Sequence, residues 1–341
     1  MADAIEHNKL MELQSFQTLS GIPILQIPLE VFPGMQGFAY LTVVDGDYIL
    51  IDTGSGFGNS DEQLESGLKE AGRMITGKEL GFEDLTYILI THGHIDHFGG
   101  LASIKPKTKA KIGVHELDRR NITNYEERIT VVARRLGEFL TEAGVPAERR
   151  DKTLEIYLIN KALFKSVPVD FTYESIGMKL GRLEFLHVPG HCAGHVVIRL
   201  DDFLFSGDHV LEGISPHQSP ERLTLSTGLD HYLHSLAKLD AWAEGVRVVV
   251  GGHRQPIYNL NKRIEEIREV HKNRLNQVLA YFQTPGTIFE VSKHLFGDVH
   301  GYNILLALEE AGAHVEYLYQ RGLLEIADLG EQVVRYRASE Q

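Results

Sequence analysis

The chain has a single cysteine, Cys192, among 341 residues, which excludes an intramolecular disulfide and suits a reducing compartment. Long apolar runs are missing as well. None is long enough to cross a bilayer, so no membrane association is expected. The opening segment from Met1 to Phe16 is polar and charged, without the basic start, apolar centre and small-residue cleavage site of a secretory signal. Positive charge is scarce: 34 Lys and Arg face 47 Asp and Glu, a formal net charge of −13. That balance argues against a nucleic-acid partner held mainly through its phosphates. The arginine pairs Arg119-Arg120, Arg134-Arg135 and Arg149-Arg150 are flanked by Glu116, Glu126 and Glu148 and read as solvated helix faces. The glycine-rich loop Gly54 to Gly58 lacks the lysine of a P-loop and the spacing of a dinucleotide fingerprint. No Gly-x-Ser-x-Gly element follows a strand-like run, so a serine nucleophile of that kind is not expected. With 43 % hydrophobic and 24 % charged residues, the chain can bury a large core and has room for two domains, as expected of a soluble cytoplasmic enzyme.

What the chain does have is a series of histidines and aspartates placed after strand-like runs. The densest is Thr91-His92-Gly93-His94-Ile95-Asp96-His97, directly after Tyr87-Ile88-Leu89-Ile90. A strand ending in His-x-His sends both imidazoles to one side, because side chains alternate with period two. Asp96 and His97 then begin a helix and aim at a second point nearby. One metal ion would take His92 and His94, its neighbour Asp96 and His97. Imidazole with carboxylate suits zinc best, while iron and manganese accept the same set. Three more motifs follow in order: Pro189-Gly190-His191 after Leu183 to Val188, Ser206-Gly207-Asp208 after Phe203 to Phe205, and Gly251-Gly252-His253 after Val246 to Val250. Each places a candidate ligand at a turn beyond a strand.

In these motifs the chain resembles the metallo-β-lactamase superfamily, specifically its glyoxalase-II-like dinuclear hydrolases, over roughly residues 20 to 258. The resemblance implies an α/β fold, an αββα sandwich with the site on one rim of two packed sheets. It implies two divalent metal ions: His92, His94 and His191 on the first, Asp96, His97 and His253 on the second, and Asp208 bridging. Asp52, in Ile51-Asp52-Thr53-Gly54, matches the family's first motif and braces the ligands from behind. His195 is expected to brace its turn by hydrogen bonding. His187, His209 and His115 read as ordinary histidines near the site, and Cys192 as packing.

The catalytic domain is expected to span residues 1–258 and a second domain residues 259–341. Strands are expected at Ile22 to Ile27, Phe38 to Val44 and Tyr48 to Ile51, followed by a helix from about Asp61 to Met74. A mainly helical insertion, about residues 116–178, separates two ligand motifs. Its apolar faces, Ile129-Val132-Leu136-Phe139-Leu140 and Leu154-Tyr157-Leu158-Lys161-Ala162-Phe164, are broken apart by Gly144-Val145-Pro146. Such a segment would form a lid over the metals, with Tyr157 and Phe164 lining an acyl pocket and His217 within reach of substrate. After His253, helices at Ile264 to Phe282, Ile288 to Leu295 and about Gly301 to Ala311, the last leading on to Val315 to Arg321, precede Leu323 to Ile326, a turn at Gly330 and Val333 to Tyr336. That order resembles a winged helix, which in one branch of the superfamily accompanies RNA cleavage. Residues 259–341 carry nine cations against twelve acids, and the helix from Tyr302 to Glu310 carries no cation. A packing or dimerisation module, with a possible homodimer, is therefore expected rather than a nucleic-acid reader.

The resemblance implies attack by a metal-bridging hydroxide on an ester or thioester carbonyl, with Asp96 or Asp208 moving the proton. After the bridging aspartate the chain continues His209-Val210-Leu211-Glu212-Gly213-Ile214. It lacks the Gly-Cys-Gly-Arg-like element of glyoxalase II and carries Leu211 where the superfamily's lactonases place tyrosine. True β-lactamases lack the bridging aspartate. The expectation is a hydrolase of a small-molecule acyl substrate. Phosphodiester or RNA cleavage, lactone hydrolysis and non-catalytic metal-binding regulation are the alternatives.

Overall fold

A computed structural model describes residues 12–162, 164–328 and 332–340. The turn at Gly330 and the first eleven residues of the opening segment lie outside the described residues.

Two sheets form the centre. The first has seven strands in sequential order: β1 (Gln14–Gln17), β2 (Pro23–Phe32), β3 (Met35–Val44), β4 (Asp47–Ile51), β5 (Tyr87–Leu89), β6 (Lys111–Val114) and β7 (Phe171–Thr172). The second runs β12 (Val248–Gly251), β11 (Phe203–Gly207), β10 (Val196–Leu200), β9 (Leu183–His187) and β8 (Lys179–Leu180). The pleat divides their side chains. Phe38, Tyr40 and Val44 of β3 meet Val196, Ile198 and Leu200 of β10, Phe203 and Phe205 of β11, and Val248 and Val250 of β12 in the core between the sheets. Alternate residues face outward: Ala39 and Leu41 from the first sheet, Val197, Leu204 and Val249 from the second.

Helices cover both outer faces. On the first, α1 (Ser60–Thr76) presents Leu64, Leu68 and Ala71, spaced to form one stripe, and the short helices α2 (Ile95–Phe98) and α3 (Leu101–Ile104) add Phe98, Leu101 and Ile104. On the second, α7 (Leu229–Trp242) contributes Leu229, Leu236 and Leu239, and α8 (Leu260–Tyr281) contributes Leu260, Ile264 and Ile267. This is the αββα sandwich expected from the ligand motifs.

The insertion is helical: α4 (Glu116–Thr123), α5 (Tyr125–Glu142) and α6 (Ala147–Lys161), with the expected break between the last two. After α8 the chain forms α9 (Ile288–Phe296), α10 (Asn303–Gln320) and an antiparallel hairpin of β13 (Leu324–Asp328) and β14 (Arg335–Ala338). The helix expected at about Gly301 to Ala311 begins at Asn303 and runs on as a helix through the following Val315 segment to Gln320. Gly312 does not interrupt it, because a Cβ there would come within 2.9 Å of Phe139 and Pro220, and the bare backbone admits both. Insertion and C-terminal elements share a single core in which Leu136, Phe139 and Leu140 of α5 pack with Val278, Phe282, Ile288, Leu305 and Leu308. The expected boundary at 258/259 thus falls just before α8, whose first half covers the second sheet and whose end enters this shared core. No helix among the described residues is long and apolar enough to cross a membrane.

Burial of neutral histidine gives the fold an acid sensitivity. Desolvation pushes His271 from its ordinary 6.5 to about 3. The unfolded chain therefore binds a proton that the folded chain refuses, so this contribution is complete above about 6.5 and is lost as pH falls towards 3. Urea unfolding should show a loss of about 2 kcal/mol from this group between pH 7 and pH 5. His271→Gln should flatten the slope by one proton. An unchanged slope would place the acid sensitivity elsewhere.

Candidate metal centre

Parallel pairing gathers the motifs at one rim. β4 runs parallel to β5 and β11 parallel to β12, so Asp52, His92, Asp208 and His253, each just beyond a strand's C-terminal end, emerge on the same side. The structure brings together all seven candidate ligands in two groups. His92, His94 and His191 form one, Asp96, His97, Asp208 and His253 the other, and within each the donor atoms lie within 4.8 Å of one another. In the first, His92 Nε2 and His94 Nδ1 are 3.1 Å apart. In the second, Asp96 Oδ2 is 3.2 Å from His253 Nε2 and 3.8 Å from His97 Nε2. Asp208 lies between the groups: Oδ2 is 3.8 Å from His191 Nε2 and 3.5 Å from His253 Nε2, and Oδ1 is 3.5 Å from His97 Nε2.

The donor set fits divalent ions. His97 Nε2, His191 Nε2 and Asp208 Oδ1 are buried without a hydrogen-bond partner, a costly arrangement unless a cation completes it. Burial, reinforced by neighbouring imidazoles, holds His92 and His94 well below the ordinary histidine range, so both present neutral lone pairs. At His97, burial opposes protonation, but Asp208, Asp52 and Asp96 outweigh it and raise the pKa well above the usual value. Burial likewise opposes protonation of His253, yet Asp208 and Asp96 lift it to about 10. A cation at this second group therefore displaces protons as it binds.

Each imidazole is aimed by a bond on its far side. Asp52, at φ 59°, accepts His97 Nδ1–H at 2.8 Å and Thr91 N–H and Oγ1–H at 2.8 Å each. His191 Nδ1 donates to the His217 carbonyl at 2.7 Å, and His253 Nδ1 to that of Gln36 at 2.5 Å. His195, expected to brace its own turn, instead accepts the Asp208 N–H at Nε2 at 3.0 Å, a bond to the turn that carries the Asp208 carboxylate. Close approach demands glycine at position 252, where a Cβ would lie 2.3 Å from His97 Cε1 and 2.6 Å from Asp208 Oδ1.

Asp118 escaped the sequence reading. It is fully buried on α4 and accepts the N–H of Gly93 at 2.7 Å, that of Gly194 at 3.0 Å and the Cys192 thiol at 3.1 Å. One carboxylate thus ties the His92–His97 loop to the His191–His195 loop. Nothing in the pattern around Asp118 marks it, since an acid near a helix start is commonplace. Asp118→Ala should cost about 3 kcal/mol by leaving these donors unpaired, read as a lowered urea midpoint together with weaker metal retention. Wild-type stability and metal content would remove the bridging role. Burial and the Asp118 carboxylate also push the Cys192 thiol up, which disfavours a reactive thiolate.

The three expected pocket residues are distributed differently. Tyr157 is buried in the shared core, where its hydroxyl faces the charges of Glu309 and Arg128. Phe164 packs with Tyr125, ring centres 6.2 Å apart, beneath the first sheet. His217 turns its ring to the C-terminal module, Nε2 at 3.0 Å from Glu309 and Nδ1 at 3.5 Å from Glu310; burial opposes its protonation, and these carboxylates raise it to about 9. His115 and His187 stack at 3.8 Å away from the ligand groups, and His209 lies against Tyr232. A third buried group, His271, Glu310 and His314, is held by protein contacts: Arg274 and the Gln218 N–H donate to Glu310 at 2.8 and 2.7 Å, and His314 Nδ1 to the Glu310 carbonyl at 2.7 Å.

The sequence profile of the metallo-beta-lactamase superfamily matches residues 32–253, and the chain belongs to that superfamily, whose members are generally hydrolases. A metallo-beta-lactamase fold-containing protein of Sulfurisphaera tokodaii is 31% identical over 134 residues, 37% of this chain and 45% of that protein. A hydroxyacylglutathione hydrolase of Shewanella loihica is 28% identical over 155 residues, 45% of this chain and 43% of that protein. The chain thus spans less than half the length of these curated relatives. Among solved structures, a metallo-beta-lactamase family protein of Thermus thermophilus superposes with TM-score 0.72 at 27% identity, covering 93% of this chain and 98% of that one. A beta-lactamase domain protein of Burkholderia ambifaria shares the fold at TM-score 0.72 and 22% identity, covering 96% and 94%.

Proposed function

We propose that the chain is a dinuclear metal-dependent hydrolase of a carboxylic ester or thioester. The observation that carries this reading is the pair of buried donor groups with the Asp208 carboxylate between them. The hydroxyacylglutathione hydrolase relatives, 26% to 28% identical where they match, favour a thioester. In this reading His92, His94 and His191 hold one ion, Asp96, His97 and His253 the other, and Asp208 spans both. Two divalent ions, zinc foremost, supply when bound the Lewis acidity that acidifies a water and polarises a carbonyl.

The protein's own groups do the rest. The Asp52, His217 and Gln36 acceptors fix the tautomers of His97, His191 and His253, so that each presents Nε2 to the site. Asp96, whose Oδ2 lies beside His253 Nε2, is placed to take the proton of the attacking water and return it to the leaving thiolate or alkoxide. The C-terminal module, winged-helix-like in its order of elements, closes one side of the cleft through Tyr302 and Glu309, and offers the surface for a homodimer. Zinc- and manganese-loaded protein assayed over thioesters, carboxylic esters, lactones and bis-p-nitrophenyl phosphate tests the assignment. Turnover of thioesters or esters is expected; turnover of the phosphodiester alone would replace it with a nuclease-type activity.

A further inference from the structure

The insertion and the C-terminal module bring over this centre a set of polar groups that neither ligation nor packing accounts for. Lys161, the last residue of α6, makes no ion pair or hydrogen bond among the described residues; its Nζ lies 6.0 Å from the centre of the Tyr157 ring. The negative charges it faces are Asp96 and Glu309, and its own charge is felt at His94. It therefore lies within electrostatic range of one residue of each donor group, while direct contacts run from Arg128 through Asn121, whose Nδ2 donates to Asp118 Oδ1 at 3.1 Å, to the Gly93 N–H between His92 and His94. Arg128, on α5, is also without a carboxylate partner. It donates Nε–H to Asn121 Oδ1 at 3.1 Å and Nη2–H to Thr224 Oγ1 at 3.3 Å, both neutral acceptors, and is the cation beside the Tyr157 hydroxyl. The Tyr125 hydroxyl is buried with no hydrogen-bond partner among the described residues. Tyr302, just before α10, interacts electrostatically with Glu309, Tyr157, Asp96 and Tyr125, so the three phenols lie within electrostatic range of one another.

In a chain with 47 acids and 34 cations, two partly buried cations left without an acid are not a solvated helix face. Each gives up hydration without gaining a direct ion pair, the carboxylates of Asp96 and Glu309 acting on Lys161 only at longer range. Ligation sharpens the imbalance. Two divalent ions would carry four positive charges against the three carboxylates of Asp52, Asp96 and Asp208, so the loaded site would be net positive before Lys161 and Arg128 are added. An anion entering there meets a cation on the lid side, phenolic donors around it and the metal centre beyond.

We propose that Lys161 and Arg128, with the hydroxyls of Tyr125, Tyr157 and Tyr302, form an anion-recognition subsite that holds a carboxylate or phosphate carried by the substrate beside its scissile carbonyl. The proposal rests on the ester or thioester hydrolase reading and narrows its substrates to anionic acyl compounds. The lid then selects by charge, in contrast to the apolar acyl pocket expected from its aromatic content.

Binding and turnover are measured separately. Zinc-loaded protein is titrated calorimetrically with the non-hydrolysable thioether S-(2-oxopropyl)-3-mercaptopropionate and with its neutral carboxamide. A second pair, the S-(2-oxopropyl) thioethers of 4′-phosphopantetheine and pantetheine, asks the same of phosphate. At least one anionic member should bind about tenfold or more tightly than its neutral partner, and the pair with the larger ratio identifies the anion. Lys161→Met and Arg128→Gln should each shrink that ratio severalfold, while Lys161→Arg retains most of it. Equal binding within both pairs overturns the subsite. So does a ratio unchanged in both variants, which would assign charge recognition to the metals alone. The matching S-acetyl thioesters report turnover. Charge-selective binding without turnover sinks the hydrolase reading and leaves the subsite standing; turnover without charge preference does the reverse.

Discussion

Asp208→Ala should lower kcat/KM by roughly a thousandfold, about 4 kcal/mol of transition-state stabilisation, and reduce bound metal from two ions per chain to about one. The geometry makes Asp208 the residue on which both donor groups depend. Its Oδ2 approaches His191 Nε2 of the first group at 3.8 Å and His253 Nε2 of the second at 3.5 Å, while Oδ1 stands 3.5 Å from His97 Nε2. Without that carboxylate, His97 and His253 keep only Asp96 as an anion within the second group, and the nitrogens of His97 and His191 that are unpartnered among the described residues lose the charge that would hold an ion beside them. The backbone N–H of residue 208 still donates to His195, so the turn itself should survive and the loss should be chemical. Elemental analysis of metal-replete protein, with circular dichroism to verify folding, provides the test. Two tightly held ions and near-normal activity in the variant would remove Asp208 from the bridging position.

Truncation after residue 258 is expected to abolish cooperative folding rather than release a working catalytic domain. Leu260, Ile264 and Ile267 of α8 cover the outer face of the second sheet. Farther on, Val278, Phe282, Ile288, Leu305 and Leu308 complete the core of the insertion helices. Each such side chain contributes about 1.5–3 kcal/mol, and a whole domain is stable by only about 5–15 kcal/mol. The loop after Asp208 would also lose its anchors. Arg263 donates to the carbonyls of Leu211 and Ile214 at 2.7 Å each, Arg274 to Ser215 Oγ at 3.0 Å, and Glu310 accepts the Gln218 N–H at 2.7 Å. His217, whose carbonyl aims His191, lies in that loop. A soluble fragment of residues 1–258 with a sigmoidal urea transition and two bound ions would refute this dependence.

Four of the seven candidate ligands were legible because their spacing is local, while the grouping of His191, Asp208 and His253 with them came from the family resemblance. His92, His94, Asp96 and His97 occupy the end of one strand and the start of one helix, where the periods of two known geometries fix their directions. The strands β2, β3 and β4 and the helices α1, α5, α6, α8 and α9 followed from apolar periodicity, which registers the demand that one face be buried. Short edge strands such as β1, β7 and β8 escaped that reading, since runs of two to four residues carry too few alternations to show a period.

The amino-acid sequence alone therefore determined the sandwich, the rim on which the site is built and the residues able to hold metal. Tertiary structure alone decided what surrounds them. That Asp118 joins two ligand loops, that the His217 backbone aims His191, that insertion and C-terminal helices share one core, and that Lys161 and Tyr302 come within electrostatic range of Asp96 are all relations between segments distant in the chain. Such relations leave no spacing in the sequence, because they arise from packing, which joins faces by shape and area whatever their separation along the backbone.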